Sequence, residues 1–172
     1  MHHYHLSDRI VCVLLGVVAL TLPGCQSPPE AEAEAMLAAD EQVQKDVRAE
    51  LETYYRDLSA RKWSAFASHF WPGATITTIW QPTGEPRERV HVQTVPEFIA
   101  RTPEGADSKP IFAETMLDAE IRVDGALAHA WVRYAAEFGD RDNLARWTGT
   151  DAFTLMRFEG RWRIVALAFS PE

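Results

Sequence analysis

Apolar side chains at Val43, Val47, Leu51, Tyr54 and Leu58 recur at spacings of four, four, three and four. That stripe predicts a helix with one face on a core. Asp40 stands where an N-cap would open it. A second, shorter helix carries Trp63, Phe66 and Phe70 and stops at Trp71-Pro72-Gly73. The period then changes. Ala74 to Trp80 is β-branched and aromatic, a strand. Pro82 to Pro86 is a turn, and Arg87 to Val92 a second strand. Thr94-Val95-Pro96-Glu97 forms a capping box with proline in the first turn, opening a helix through Arg101. The remainder is all strand. Ala113–Val123 and Ala126–Phe138 flank Asp124-Gly125; Arg146–Phe158 and Arg161–Phe169 flank Glu159-Gly160. Such dipeptides between alternating runs mark hairpins. Helices, a short hairpin, a helix and a four-stranded antiparallel meander make an α+β fold.

One apolar run lies outside this domain. Ile10 to Leu22 follows a short polar head containing Arg9. The run suits a signal-peptide core but is too short to span a membrane, which takes roughly 20 apolar residues. It closes on Leu22-Pro23-Gly24-Cys25, which resembles the bacterial lipoprotein lipobox. The resemblance implies that residues 1–24 are removed and that Cys25 carries lipid. An ordinary secretory signal is the other reading of the same run. Cys12, the other of two cysteines, lies in the removable segment, so the mature chain keeps no second thiol for a disulfide or a nucleophile. Residues 25–39, broken by Pro28-Pro29, read as a tether, and residues 40–172 as the folded domain. Gln26 after the lipidated cysteine implies, by resemblance to Gram-negative lipoproteins, the outer membrane facing the periplasm.

Charge narrows the partners. The net charge is −8, and it stays there without the leader because Asp8 and Arg9 cancel. An acidic chain with scattered arginines lacks the electrostatic footprint of a nucleic-acid binder. It also lacks a basic patch for anionic lipid, so a membrane is reached through the Cys25 lipid.

The helix-to-strand segment Phe70-Trp71-Pro72-Gly73-Ala74-Thr75-Ile76, the final hairpin Gly160-Arg161-Trp162-Arg163-Ile164 and the element order resemble the nuclear transport factor 2-like superfamily, in its SnoaL-like and putative lumazine-binding branches. The likeness spans about Asp40 to Ser170. It implies a cone, a curved sheet wrapped on a long helix with a pocket between. It does not fix a function, because such folds host enzymes and non-enzymes alike.

Alternation from the expected turns predicts which side chains share a face. With the middle loop centred near Asp142, Arg133 falls opposite Asp151 and Trp131 opposite Phe153. The same reading puts Asp118 opposite Trp131 and His129 opposite Glu120. By likeness to the ketosteroid-isomerase branch, the face of Trp131 and Ala166 is the cone interior. The face of Val132 and Leu167 is then the sheet surface of a homodimer. Asp151 with Arg133 could activate water, as the epoxide-hydrolase branch does, although a structural ion pair bridging two strands is the preferred reading of the two residues. Tyr54 aligns with a catalytic tyrosine of the isomerase branch, but the position of that branch's base reads Thr78. Tyr54, Thr78, Trp80, Trp131 and Phe153 are the expected lining of a pocket for a small apolar or aromatic molecule. Of the histidines outside the leader, His69 closes the second helix, and His69, His91 and His129 fall on different elements, so no metal site and no cofactor is expected. The sequence therefore predicts a lipid-anchored envelope protein with a small-molecule pocket. An envelope hydrolase or isomerase using Asp151, Arg133 and Tyr54, or a dimeric interaction module without ligand, are the alternatives.

Overall fold

Alanine and glutamate favour helix, and no glycine or proline interrupts the chain from Glu30 to Ser59. The whole segment is one helix, α1 (Glu30–Ser59). The structure, a computed structural model, describes residues 30–81 and 86–172. The leader, Cys25 and most of the Pro82–Pro86 turn lie outside the described residues. Asp40 does not cap α1 but sits inside it: helix propensity carries the expected tether's second half into the helix, although its side chains are almost all exposed until Val43. Glu30 and Glu32 complement the helix dipole at its start.

After α1 come α2 (Trp63–Ser68), β1 (Phe70–Trp80), β2 (Arg89–Thr94), α3 (Val95–Ala100), β3 (Ile111–Asp124), β4 (Leu127–Asp140), β5 (Asn143–Phe158) and β6 (Arg161–Pro171). Phe70 belongs to the first strand rather than the second helix. The strands form one sheet in the order β2-β1-β6-β5-β4-β3, antiparallel except between β1 and β6. Bulges in the β1–β6, β3–β4 and β5–β6 pairings bend it. Val47, Leu51, Tyr54, Tyr55 and Leu58 of α1 pack onto its concave face. This is the α+β cone, a curved sheet wrapped on the N-terminal helix.

One register differs from expectation, and it decides the site. The β4–β5 turn is Arg141-Asp142, with Asp140 paired to Asn143. Its centre lies half a residue earlier than Asp142, which slips the pairing by one. Arg133 then faces Thr150, and Val132 faces Asp151. A one-residue slip sends a strand's side chains to the opposite face. Gly139 permits the tight closure: its φ is +145°, and a Cβ there would collide with the Asn143 carbonyl. The interior is therefore the Val132 and Leu167 face, both buried, and not the Trp131 face. In the β3–β4 hairpin the turn is Gly125-Ala126, which shifts partners by two and preserves faces. Asp118 meets Arg133, Glu120 meets Trp131 and Arg122 meets His129.

Candidate functional site

Alternation along β3 points Phe112, Glu114 and Met116 inward, and along β4 Ala130, Val132 and Tyr134. On β5 the inward set is Asp151, Phe153 and Leu155. One acid thus enters from each of two strands. Tyr54 and Tyr55 descend from α1 above them. The Tyr55 hydroxyl donates to Asp151 Oδ2. The Ser59 hydroxyl donates to the Glu114 carbonyl and accepts from its N–H, at 2.8 Å each, which pins β3 under the helix.

These groups close one end of a cavity of about 140 Å³. Asp151, Glu114, Tyr54 and Tyr134 supply its polar atoms, and Leu58, Phe66, Ile76, Phe98, Phe112 and Leu167 most of the rest. Burial pushes the Asp151 carboxyl up to about 7, although the Tyr55 hydrogen bond pulls the other way. Burial pushes Glu114 up to about 8, with the charge of Asp151 adding to it. Tyr54 is held well above its usual range by burial and by both acids. Burial, Glu114 and Asp151 together raise Tyr134 to about 12. Two carboxyls near neutrality in an apolar space can accept, donate or exchange protons.

Beyond Phe98, Ala106 and Phe169 the cavity meets a wider vestibule of about 420 Å³. The capping box of Thr94 and Glu97 fixes the start of α3, whose Phe98 walls the cavity while Arg101, just past its end, reaches the vestibule. Arg101 lies over the Trp80 ring at 5.3 Å and donates to His91 Nε2 at 3.1 Å. Thr78 lines the vestibule and donates to the Phe169 carbonyl at 2.9 Å.

Of the residues singled out from sequence, the structure brings Asp151 and Tyr54 together in the cavity and places Thr78 and Trp80 in the vestibule. Phe153 is 1% exposed and packs edge-on to Tyr54 at 5.3 Å, so it supports the cavity rather than lining it. Arg133 and Trp131 belong to the outer face. Trp131 is 61% exposed, and Arg133 lies 3.6 Å from Glu172. The register slip separates both from Asp151. His129 contacts Thr154 at 3.2 Å, while Glu120 is held by Arg122 at 2.7 Å, so the expected His129–Glu120 pair does not form. Tyr55 and Glu114 are site residues that the sequence pattern alone does not single out. Each still carries a signal: Tyr55 lies four residues after Leu51, and Glu114 alternates with Phe112 and Met116. Among the described residues, no three His, Cys, Asp or Glu side chains converge on a metal position.

Residues 42–170 match the sequence profile of a family described as "Putative lumazine-binding". None of the curated proteins matches the chain. Solved structures with the same fold include a nuclear transport factor 2-like protein with a cystatin-like fold from Novosphingobium aromaticivorans, at 14% identity and TM-score 0.61, covering 86% of this chain and 92% of its own. A protein of unknown function from Mycobacterium tuberculosis is 15% identical with TM-score 0.60, covering 87% of this chain and 78% of its own. The β subunit of benzoate 1,2-dioxygenase from Burkholderia mallei is 14% identical with TM-score 0.59, covering 74% and 89%. Such different proteins on one scaffold are similar in fold alone.

Proposed function

The chain belongs to the putative lumazine-binding family, of the nuclear transport factor 2-like superfamily, and from that premise we propose that its cone pocket binds a small apolar or aromatic molecule. The observation carrying this is the cavity of about 140 Å³, apolar on most sides with polar groups gathered at one end. A space of that volume takes about one aromatic ring. A flat two-ring molecule such as the lumazine of the family's description would extend past Phe98 and Phe169 toward Trp80. Ala106 sits in a turn at this junction. The test is native mass spectrometry of the protein purified from its host in mild detergent. A bound small molecule is expected, and Ala106→Trp, which fills the junction, is expected to lose it. An empty wild-type protein overturns the reading.

The alternative, an envelope hydrolase or isomerase, now draws on Asp151, Glu114 and Tyr54 without Arg133. What favours it is the pair of carboxyls held near neutral pH. Turnover of the bound molecule, lost in Asp151→Asn while binding persists, would distinguish catalysis from storage.

The rest of the proposal concerns place and assembly. The leader supports a lipid anchor at Cys25 and an envelope location, on the periplasmic side of the outer membrane in a Gram-negative host. Metabolic labelling with a tagged fatty acid is expected to mark the wild type and not Cys25→Ser. A labelled Cys25→Ser protein would reject the anchor. Two copies are proposed to pair through the outer sheet face.

A further inference from the structure

Among the described residues, no cation in the cavity balances its acids. Asp151 and Glu114 share a space whose other polar groups are the tyrosines, and no Lys, Arg or His among the described residues lines it. Asp151 commits one oxygen to Tyr55. Its other oxygen, the Glu114 carboxyl and the Tyr54 hydroxyl have no hydrogen-bond partner among the described residues. Tyr54 is only 3% exposed, and it lines the cavity, so this is a buried polar side chain offered to the space rather than to bulk water. Buried acceptors left unpaired cost free energy, more so when charged.

A ligand that donates several hydrogen bonds and carries positive charge would remove that cost. An ammonium has three donors. Tyr54, Phe66, Phe112 and Tyr134 line the cavity, and a ring that meets the cation face-on would add cation–π attraction. We infer that the cavity selects a small organic cation, an ammonium or amidinium on a compact apolar body, with Asp151 and Glu114 as counter-charges and Tyr54 as a further acceptor. The inference rests on the pocket reading above and adds a charge to its ligand. The net charge of −8 favours the approach of such a molecule. The vestibule holds charges of both signs, Glu104 and Arg101, and Arg101 is engaged by His91 and Trp80.

Binding is then linked to protons. The titratable groups facing the site are Tyr54 and Tyr55 from α1, Glu114 from β3, Tyr134 from β4 and Asp151 from β5; α2, α3, β1 and β6 contribute apolar side chains to the cavity. The tyrosines stay neutral below about pH 10 because burial raises them all. The acids titrate near neutrality, so a cation displaces their protons and binds more tightly as pH rises.

The experiment compares 4-fluorobenzylamine with 4-fluorobenzyl alcohol by fluorine NMR, using full-length protein in detergent with empty micelles as blank. The two differ mainly in charge, and the amine stays mostly protonated throughout the range. Expected is binding of the amine about tenfold or more tighter than the alcohol, strengthening between about pH 6 and pH 8.5. Asp151→Asn and Glu114→Gln should each weaken the amine about tenfold and leave the alcohol nearly unchanged. Circular dichroism checks that each variant is folded, and if Asp151→Asn is not, Glu114→Gln decides. Equal binding of amine and alcohol, or amine affinity indifferent to pH, overturns the cation inference and leaves the apolar pocket standing. Failure of both molecules to bind overturns the pocket itself.

Discussion

Asp151 is an acid whose state is set by burial, with one hydroxyl opposing it. Burial favours its neutral form and the Tyr55 hydrogen bond favours its charged form, so removing the donor has a definite sign. In Tyr55→Phe the Asp151 pKa is expected to climb above its value of about 7. The protein should lose about 1–3 kcal/mol of stability, the usual cost of orphaning a buried acceptor. A carbon-detected NMR titration of the carboxyl together with urea unfolding checks both; an unchanged or lowered pKa would refute the assignment. These individual chemistries are partly legible in the chain. Asp151 stands out as an acid in an apolar strand, and Glu114 alternates with Phe112 and Met116. Its neighbours are not legible. Whether Asp151 meets Arg133 or Tyr55 depends on a turn of two residues rather than three, and only Gly139, whose backbone conformation excludes a side chain, hints at the answer.

The elements themselves are mostly written locally. The α1 stripe, the Thr94–Glu97 box and the hairpin dipeptides act within a few residues, so periodicity and capping find them. Junctions between elements depend on partners distant in sequence. His69, at the end of α2, holds Glu50 of α1 at 2.7 Å through Nδ1 and Asp57 of α1 at 3.2 Å through Nε2. Both ring nitrogens face carboxylates, the arrangement of an imidazolium donating twice. Burial alone would lower the His69 pKa, but the two carboxylates outweigh it and raise it above the usual value of about 6.5. Asp57 is lowered in return: burial opposes this, and hydrogen bonds from His69 and Lys62 prevail. A raised histidine binds its proton more tightly folded than unfolded. Its stabilisation is therefore complete below about pH 6.5 and fades as pH rises through the folded pKa. His69→Ala should cost about 1–3 kcal/mol near pH 5.5 and distinctly less near pH 9, measured by urea unfolding at both. A loss that grows with pH would reverse the sign and reject the clamp.

At the scale of the molecule, one sheet surface is covered by α1, and no helix among the described residues covers the other. That second surface carries Ile79, Val90, Val92 and Trp131, each at least 57% exposed, in a line across β1, β2 and β4. Sequence reasoning expects a sheet-mediated dimer but assigns it to the Val132 and Leu167 side, which the true register buries under the helix. The proposed pairing therefore falls to the outer side. Its rim holds Arg122 beside Glu120 and Arg133 beside Glu172, charges of both signs on a protein that is otherwise strongly acidic. A twofold contact sets each patch against its own copy, so a balanced patch avoids the repulsion that a single-sign one meets. Six strands about 4.8 Å apart and about 35 Å long offer roughly 1,000 Å², above the roughly 800 Å² per partner of a standard specific interface. The detergent-solubilised protein is accordingly expected to run as a dimer in size exclusion with light scattering. Trp131→Glu should run as a monomer with an unchanged melting temperature for the isolated subunit, because the indole packs on nothing inside its own chain's core. A wild type that stays monomeric at tens of micromolar, or a dimer that tolerates Trp131→Glu, would assign this face to some other partner and reject self-pairing.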